Sequence, residues 1–486
     1  MTAPDTRDVI VIGAGPAGLA AAQAVAEQGL SVRLIDEQAG AGGQVWRNAA
    51  RMATGRGPLG KSYSGAADAL AAANSAEVEH AHGATVLDAA ATQLSENTEA
   101  TRVRVSWLSA TQNGREIRES NARAMIIATG AMERPVLFPG ATLPGVMGVG
   151  AVQSVMKQSG LVPTGGGVVL AGQGPLLLLT LSQILDLGGT VDAVLDLATK
   201  RNFTGAASGV LAALFSDPKV MAQGASLLWR ARRSGIPWYR GVRVLRAIGG
   251  DSIEEVAFEA EGKTVRLPCS LLAVHDGVIP NTQLTRLMNL DHVWSDPQQT
   301  FAPRCTPEGR TSAPSVWVAG DGAGIGGVEV ARLRGTLAGL DVARSLGAID
   351  GSDLRARADP LGKLIARRAP ARAFVDRLFA PLPVTALAGV EVADDTLVCR
   401  CEAVSLARVH AVIADGATGP NRVKTFTRCG MGACQGRMCG NALTRIVAAA
   451  TGSTPDDTGA LRIRPPLKPT LISDYLGSLP SEEPPL

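Results

Sequence analysis

The first 37 residues constrain the fold more than any other stretch. Asp8-Val-Ile-Val-Ile-Gly13 is an apolar, β-branched run. It is followed by Gly13-Ala14-Gly15-Pro16-Ala17-Gly18, an Ala-rich segment to Gln28, a stop at Gly29, and a second apolar run, Ser31 to Ile35, that closes on Asp36 and Glu37. The pattern reads strand, turn, helix, strand, and its glycine spacing is the dinucleotide-binding fingerprint. Each position has a physical task. Gly13 makes the tight turn, Gly15 lets a pyrophosphate approach the backbone, and Gly18 lets helix and strand pack closely. Pro16 and Ala17 open the helix whose N-terminus receives the phosphates, and Asp36, with Glu37 as the near alternative, is placed to bind ribose hydroxyls.

Such a fingerprint serves FAD and NAD alike, and two later segments separate them. Ala124-Met-Ile-Ile-Ala-Thr129-Gly130 reads as a strand ending in Ala-Thr-Gly, and Ser315-Val-Trp-Val-Ala-Gly320-Asp321 as a strand ending in Gly-Asp, ahead of Gly326-Gly327 and a helix. In this order they resemble the second and third nucleotide-contact segments of the glutathione-reductase-like, two-dinucleotide-binding-domain flavoproteins. The resemblance implies bound FAD, with Thr129, Gly130, Gly320, Asp321 and Gly327 among its contacts and Asp321 at the ribityl chain. Gly43 and Gln44, in Gly42-Gly43-Gln44, resemble a further flavin-side loop of that superfamily.

A second βαβ pattern lies between these segments. Val168 to Ala171 is its strand, Gly172-Gln-Gly174 its turn, Pro175 to Leu187 its helix and Thr190 to Leu195 its next strand. The superfamily places NAD(P)H here. Leu177, however, occupies the third glycine position and pushes helix and strand apart. The expectation is a degenerate nicotinamide unit, with a residual adenine nucleotide as the intermediate case and Asp196 still able to hold a ribose. Ala273 to Thr282 resembles the return to the flavin fold. Cys269 and Cys305 form no CxxC or CxxxxC dithiol, which disfavours disulfide reduction and suggests buried structural thiols. His275, at a strand end, is read as structural.

Five of the seven cysteines fall within Cys399-Arg400-Cys401 and Cys429-Gly-Met-Gly-Ala-Cys434-Gln-Gly-Arg-Met-Cys439. That density points to a metal centre rather than a disulfide framework. Four thiolates suffice for a [2Fe–2S] cluster or a structural zinc, so one of the five is surplus. Gly430, Gly432, Gly436 and Gly440 can bring backbone N–H groups close to sulfur, and Arg400, Arg428 and Arg437 can offset a negative cluster.

Composition adds exclusions. At 486 residues the chain is long enough for two to four domains, and a net charge of +3 without basic tracts interleaved with aromatics gives no nucleic-acid signature. The most apolar run, Pro175 to Leu185, is too short to span a bilayer. No signal or transit peptide is evident, so a soluble cytoplasmic protein is expected. From Arg355 to Arg377 the chain is rich in Ala and Arg, with Leu364, Ile365, Phe374 and Leu378 at helical spacing. That stretch suits an amphipathic connector able to pack on another subunit. Helices are expected over Ser405 to Ile413 and Gly440 to Ala450, and a Pro-rich tail over 463–486 that lies along a neighbouring surface.

The whole chain resembles the α subunits of multisubunit amino-acid and amine dehydrogenases: opine oxidases, dye-linked proline or hydroxyproline dehydrogenases, and hydrogen cyanide synthase. Its C-terminal part is similar to bacterioferritin-associated-ferredoxin-like (BFD-like) [2Fe–2S] domains. The resemblance implies a glutathione-reductase-like α/β flavoprotein plus a small helical [2Fe–2S] domain. The FAD-binding domain would span 1–155 and 285–345, the degenerate NAD-binding-like domain 156–284, a helical connector 346–392, and the [2Fe–2S] domain with its tail 393–486. Carried over by motif, the cluster ligands are Cys399, Cys401, Cys434 and Cys439, with Cys429 surplus, although Cys429 with Cys434 offers the same spacing. The family also implies partners: an amino-acid-oxidase-like β flavoprotein with its own FAD or FMN, which oxidises the C–N bond, and a small ferredoxin-like subunit. The expected activity is therefore electron transfer within an oxidoreductase acting on CH–NH or CH–NH2 donors. A self-sufficient NAD(P)H-dependent FAD/Fe–S reductase is the alternative.

Overall fold

Strand β1 (Asp5–Ile12) runs through the centre of a parallel sheet because its β-branched residues are buried on both faces. The computed structural model describes residues 5–48, 63, 65–95, 98–111, 114–198, 200–384 and 396–476. β1 pairs in parallel with β2 (Val32–Asp36) and with β6 (Gly114–Ile127), and β3 (Val78–His82) extends the sheet beyond β2. An antiparallel meander of β4 (Thr85–Ser95) and β5 (Thr98–Thr111) continues from β6, which also takes β19 (Val316–Val318) as a parallel partner. The helices Pro16–Ala26 and Val328–Ser345 cross on one face. They meet at glycine: a Cβ on Gly335 would lie 2.1 Å from the carbonyl oxygen of Ala17. Parallel strands from residues 5 and 316 thus build one flavin-type fold from two distant segments.

Short strands link the two folds. β7 (Ala131–Glu133) leaves the first sheet, and β8 (Val146–Gly148) joins a second one, ahead of the boundary expected at 156. That sheet is completed by β9 (Val168–Gln173), β10 (Ala193–Asp196), β11 (Trp238–Arg240) and β15 (Leu271–Asp276), in the order β11-β10-β9-β15-β8. A three-stranded antiparallel sheet, β12 (Arg243–Ile248), β13 (Glu255–Ala260) and β14 (Lys263–Pro268), precedes β15. β16 (Val278–Pro280) pairs with β7, so the chain returns to the flavin fold beside the point where it left. A hairpin of β17 (His292–Ser295) and β18 (Thr300–Pro303) follows.

The Ala/Arg-rich stretch forms one helix, Gly351–Leu378, which carries Pro360 and Pro370 in its interior. Asp350 caps it through Ser352 N and Asp353 N. The rest of the expected connector from 385 on, the first residues of the C-terminal domain to 395, and the tail beyond 476 lie outside the described residues. The C-terminal module begins with β20 (Leu397–Cys399) and β21 (Val404–Ser405), then packs the helices Leu406–Ala414, Pro420–Thr427 and Gly440–Thr451 around Leu406, Val409, Val423, Leu443 and Val447. Ser405 caps the first of these helices by accepting from Arg408 N. The tail is not loose up to 476: Ile463 and Leu467 insert into the flavin-fold core, and Leu467 N donates to Leu87 O at 2.6 Å.

Candidate functional site

The first nucleotide turn is a cradle of close backbone approaches. Gly13 has φ +104°, and a Cβ on Gly18 would lie 1.7 Å from the Gly13 carbonyl oxygen, so glycine is obligatory at that third position. Asp36, at the end of β2, accepts from Ala14 N through Oδ2 at 2.5 Å and from Gln38 N through Oδ1 at 2.7 Å, which pins the turn to the second strand. Glu37 is exposed and pairs with Lys468 of the C-terminal tail.

The loop Gly42-Gly43-Gln44 lies directly over this turn. Gly42 N donates to Ala14 O at 2.8 Å, and a Cβ on Gly43 would sit 2.8 Å from Gly15 Cα. Lys157, buried on the helix Val149–Ser159, holds the loop by donating to Gln44 O and Val45 O, and burial lowers its pKa to about 8. Thr129 and Gly130 hold the return segment: Thr129 Oγ1 donates to Asn281 O, and Asn281 N donates to Gly130 O at 2.9 Å. Gly320 has φ +71° and lies against Ala17 of the first helix. Asp321 Oδ1 accepts from Gly326 N and Gly327 N at 2.8 and 3.1 Å, and Gly327 caps the helix Val328–Ser345. All three sequence segments therefore converge around the helix Pro16–Ala26. Side-chain-free surfaces at Gly15 and Gly43, a helix N-terminus and the Asp321 loop suit an FAD pyrophosphate and ribityl chain.

The second turn is built differently. Gly172, Gln173 and Gly174 are buried, and Leu177 is packed in the core under β9. Gln173 Nε2 donates to Asp276 Oδ1 at 2.8 Å and to Ala380 O at 2.9 Å, while Leu382 N reaches the same Asp276 carboxylate. The segment after the long helix thus lies across this turn as a roof. Asp196 is already engaged, accepting from Ala198 N and from Trp238 Nε1. Burial raises its pKa.

In the C-terminal module the Sγ atoms of Cys399, Cys429 and Cys439 lie within 4.8 Å of one another, and all three residues are buried. Cys401, which is exposed, touches Cys434. A Cβ on Gly432 would come within 2.2 Å of Cys401 Cβ, so this glycine lets the loop carrying Cys434 pass over Cys401. Gly430 and Gly436, at φ +90° and +78°, have Leu461 packed where a Cβ would stand. Three converging thiols cannot ionise alike. Donation by the Cys429 and Cys439 thiols, with Gly430 and Glu402 backbone N–H groups, holds Cys399 down to about 2. The bond each makes to Cys399 pushes Cys429 up to about 12 and raises Cys439. Clustered thiols and backbone donors aimed at sulfur fit a thiolate-ligated iron–sulfur centre. The five cysteines form a buried group of three and a contacting pair, Cys401 with Cys434, and Cys429 sits inside the buried group rather than apart from it. Of the three arginines, Arg428 is neutralised by Glu402 at 2.8 Å, and Arg437 donates to Cys434 O and Leu467 O. Cys269 is buried, whereas Cys305, expected to be buried, is only half-buried; burial raises both, to about 12 for Cys269.

One residue with no sequence signature joins the modules. Arg134, buried after β7, donates to Asp276 O, Gln298 O, Gln299 O and Asn441 Oδ1. It thereby ties the second fold, the β17–β18 hairpin and the first turn of the helix after Cys439. Burial lowers Arg134 to about 10 and raises Asp276, which lies 3.9 Å away. His275 Nδ1 donates to Glu133 Oε1 at 2.7 Å beside the same junction. The only hint in sequence is an arginine between Glu133 and Pro135 directly after the Ala-Thr-Gly strand.

Residues 7–170 match the pyridine nucleotide-disulphide oxidoreductase family and residues 397–449 the BFD-like [2Fe-2S] binding domain. An opine oxidase subunit of Rhizobium meliloti (strain 1021) is 39% identical over 96% of this chain and 98% of its own length. Hydrogen cyanide synthase subunit HcnB of Pseudomonas aeruginosa is 32% identical over 96% and 97%. The fold is that of L-proline dehydrogenase from P. horikoshii, with a TM-score of 0.67 at 19% identity, covering 97% of this chain and 79% of that one. Among the described residues no helix is long and apolar enough to cross a membrane. With a flavin-type fold, a cysteine-clustered BFD-like module and this full-length similarity, the chain belongs to the family of these opine oxidase and hydrogen cyanide synthase subunits.

Proposed function

We propose that this chain is the electron-transferring subunit of a heteromeric amine or imino-acid dehydrogenase of the proline, hydroxyproline or opine type, working in the cytoplasm. The supporting observation is the pairing of a glycine-lined flavin cradle and a thiol cluster in one chain, tied together through Arg134, while the second nucleotide turn is covered by the Ala380–Leu382 segment. FAD would be held by Gly13, Gly15, Gly18, Gly43, Thr129, Gly130, Gly320 and Gly327, with Asp321 at the ribityl chain. Here Asp36 acts chiefly by fixing the turn. FAD accepts an electron pair and a [2Fe–2S] cluster passes single electrons, so the two together can divide a pair delivered by a partner.

The chain's own residues position and insulate these groups. Lys157 keeps the Gln44 loop closed over the turn, Arg134 holds the cluster module against the return strand, and Leu461 seals the cysteine loop. Among the described residues no acid–base set for abstracting a proton from an imino acid is apparent. The substrate is therefore assigned to an amino-acid-oxidase-like flavoprotein partner, and the further partner is a small ferredoxin-like protein. The Gln173–Ala380 contact disfavours the self-sufficient NAD(P)H reductase; a residual adenine nucleotide would need the roof to lift.

The purified chain, assayed with proline, hydroxyproline and opines, is expected to turn over only when the partner is added. Rapid turnover by the chain alone would sink the proposal. For the cluster we propose Cys399, Cys401, Cys434 and Cys439 as ligands; the contact of Cys434 with Cys401 at the Gly432 crossing supports this set, with Cys429, the third buried thiol beside Cys399 and Cys439, as the competing fourth ligand. Cys439→Ser should then abolish the visible and EPR signals of the cluster. Cys429→Ser should keep the iron content and alter only the spectrum, and the reverse pattern would transfer the fourth ligand to Cys429.

A further inference from the structure

A cavity of about 50 Å³ lies between the return strand of the flavin fold and the cysteine loop. At 10–15 Å³ for each water-sized probe, it has room for roughly three to five such groups. One wall carries Thr282, Gln283 and Arg286, and the other carries Arg437, Asn441 and Thr444.

The charge around it is unbalanced. Arg286 stacks over Phe301 at 4.9 Å and donates through Nε to Thr282 Oγ1 at 3.0 Å. No carboxylate among the described residues pairs with it. Burial and the Arg286 charge lower His292 to about 4. Arg437, across the cavity, donates from its terminal nitrogens to Cys434 O and Leu467 O; no carboxylate among the described residues pairs with it, and Cys434 offsets part of its charge. Gln283 is nine-tenths buried, and its side-chain oxygen has no hydrogen-bond partner. An amide can present either end to a ligand. A buried cation with no counter-charge is costly, so Arg286 calls for an anionic acceptor, and Gln283 serves the same occupant only with its NH2 end turned into the cavity, since the orphaned oxygen is itself an acceptor.

From this wall of donors we infer that the cavity is a binding site for a small oxyanion, a carboxylate or inorganic phosphate, which bridges Arg286 of the flavin fold and Arg437 of the cluster loop. A guanidinium fork matches such a group, and charge-assisted hydrogen bonds make the pairing strong. The neighbouring polar groups are already committed, Asn441 Nδ2 to Gln299 O and Thr444 Oγ1 to Gly459 O, so they frame the cavity rather than compete for its occupant. An anion there would fasten the cluster module to the flavin fold.

Calorimetric titration of the cofactor-loaded protein, in an anion-poor buffer, tests this with inorganic phosphate in one arm and proline or acetate in the other. Saturable binding in either arm is expected, together with a rise in the melting temperature of the visible cluster signal. Binding in the phosphate arm alone identifies a phosphate site, and binding of proline and acetate alone identifies a carboxylate site. Arg286→Gln should weaken binding by about tenfold or more, and Arg286→Lys by less, because a point charge remains but the fork is lost. Arg118→Gln, at an exposed position on β6, should leave it unchanged. Should Arg286→Gln fail to load its cofactors, Arg437→Gln gives the same reading from the opposite wall. No saturable heat in either arm with the wild-type protein, or undiminished affinity in both arginine variants, overturns the inference. Because the readout is binding rather than turnover, the result stands apart from the assignment to electron transfer.

Discussion

The two nucleotide turns of this molecule share one topology and diverge in what covers them. Each has a strand, a Gly-x-Gly turn, a proline opening a helix, and an aspartate ending the next strand. Both aspartates accept from the backbone two residues on, Asp36 from Gln38 N and Asp196 from Ala198 N. The second oxygen decides the difference. In the first turn it reaches back to Ala14 N, holding the phosphate loop in shape; in the second it is taken by Trp238 on β11. The third position completes the contrast. Gly18 lets the helix contact the Gly13 carbonyl, whereas Leu177 fills that space with a core side chain, and Gln173 hands the turn to Asp276 and Ala380. A dinucleotide fold can thus be kept as a scaffold once its phosphate turn becomes an internal docking point.

Altering that contrast gives graded outcomes. The largest effect is expected from Gly18→Val: its Cβ would overlap a carbonyl oxygen, so bound FAD in the purified protein should fall by at least about tenfold, as loss of ~1.4 kcal/mol or more of binding implies. Leu177→Gly restores the fingerprint spelling of the second turn. It should nevertheless cost about 3–5 kcal/mol in a denaturant melt, through the cavity and the helix glycine. Flavin bleaching by NADH or NADPH should not appear, because the Ala380–Leu382 roof stays in place. If rapid bleaching emerges in this single variant, the roof is not what closes the site, and combination with Gln173→Ala measures its share.

A smaller effect concerns pH. Burial lowers Lys157 from 10.5 to about 8, so the folded protein gives up this proton more easily than the unfolded chain. The stability associated with Lys157 is then complete above about 10.5 and is lost as pH falls through about 8. Relative to Lys157→Met, the wild type should gain of the order of 1–3 kcal/mol between pH 8 and pH 10, read from the loss of bound flavin on heating. Among the described residues the second turn carries no comparable lysine, and burial raises its Asp196 instead. Its contribution runs in the opposite sense, complete below the ordinary carboxylate range and lost as pH rises through the raised value.

Much of the architecture was legible in order along the chain. The fingerprint of residues 13–18, the Ala-Thr-Gly and Gly-Asp strands, the second strand–turn–helix with Leu177 in its third position, the long connector helix and the helices beginning near Ser405 and Gly440 all follow from local rules of turn geometry and side-chain periodicity. The clustering of five cysteines was legible for the same reason, since spacing limits what two short loops can bring together. The domain boundary was less so: β8 joins the second sheet ahead of residue 156 because a three-residue strand leaves little pattern in sequence.

What the sequence by itself determined is the identity of each local device: a glycine turn for a pyrophosphate, a thiol-rich loop for a soft metal, a damaged turn where Leu177 stands. Only the tertiary structure decided how the devices are joined. Arg134 meets Asn441, Gln173 meets Ala380, Cys429 falls among the buried thiols, and Arg286 faces Arg437 without an acid between them. These are contacts between residues hundreds of positions apart or on opposite walls of a cavity. Their energies depend on burial and on the presence or absence of a partner charge, and neither quantity is written in any single segment.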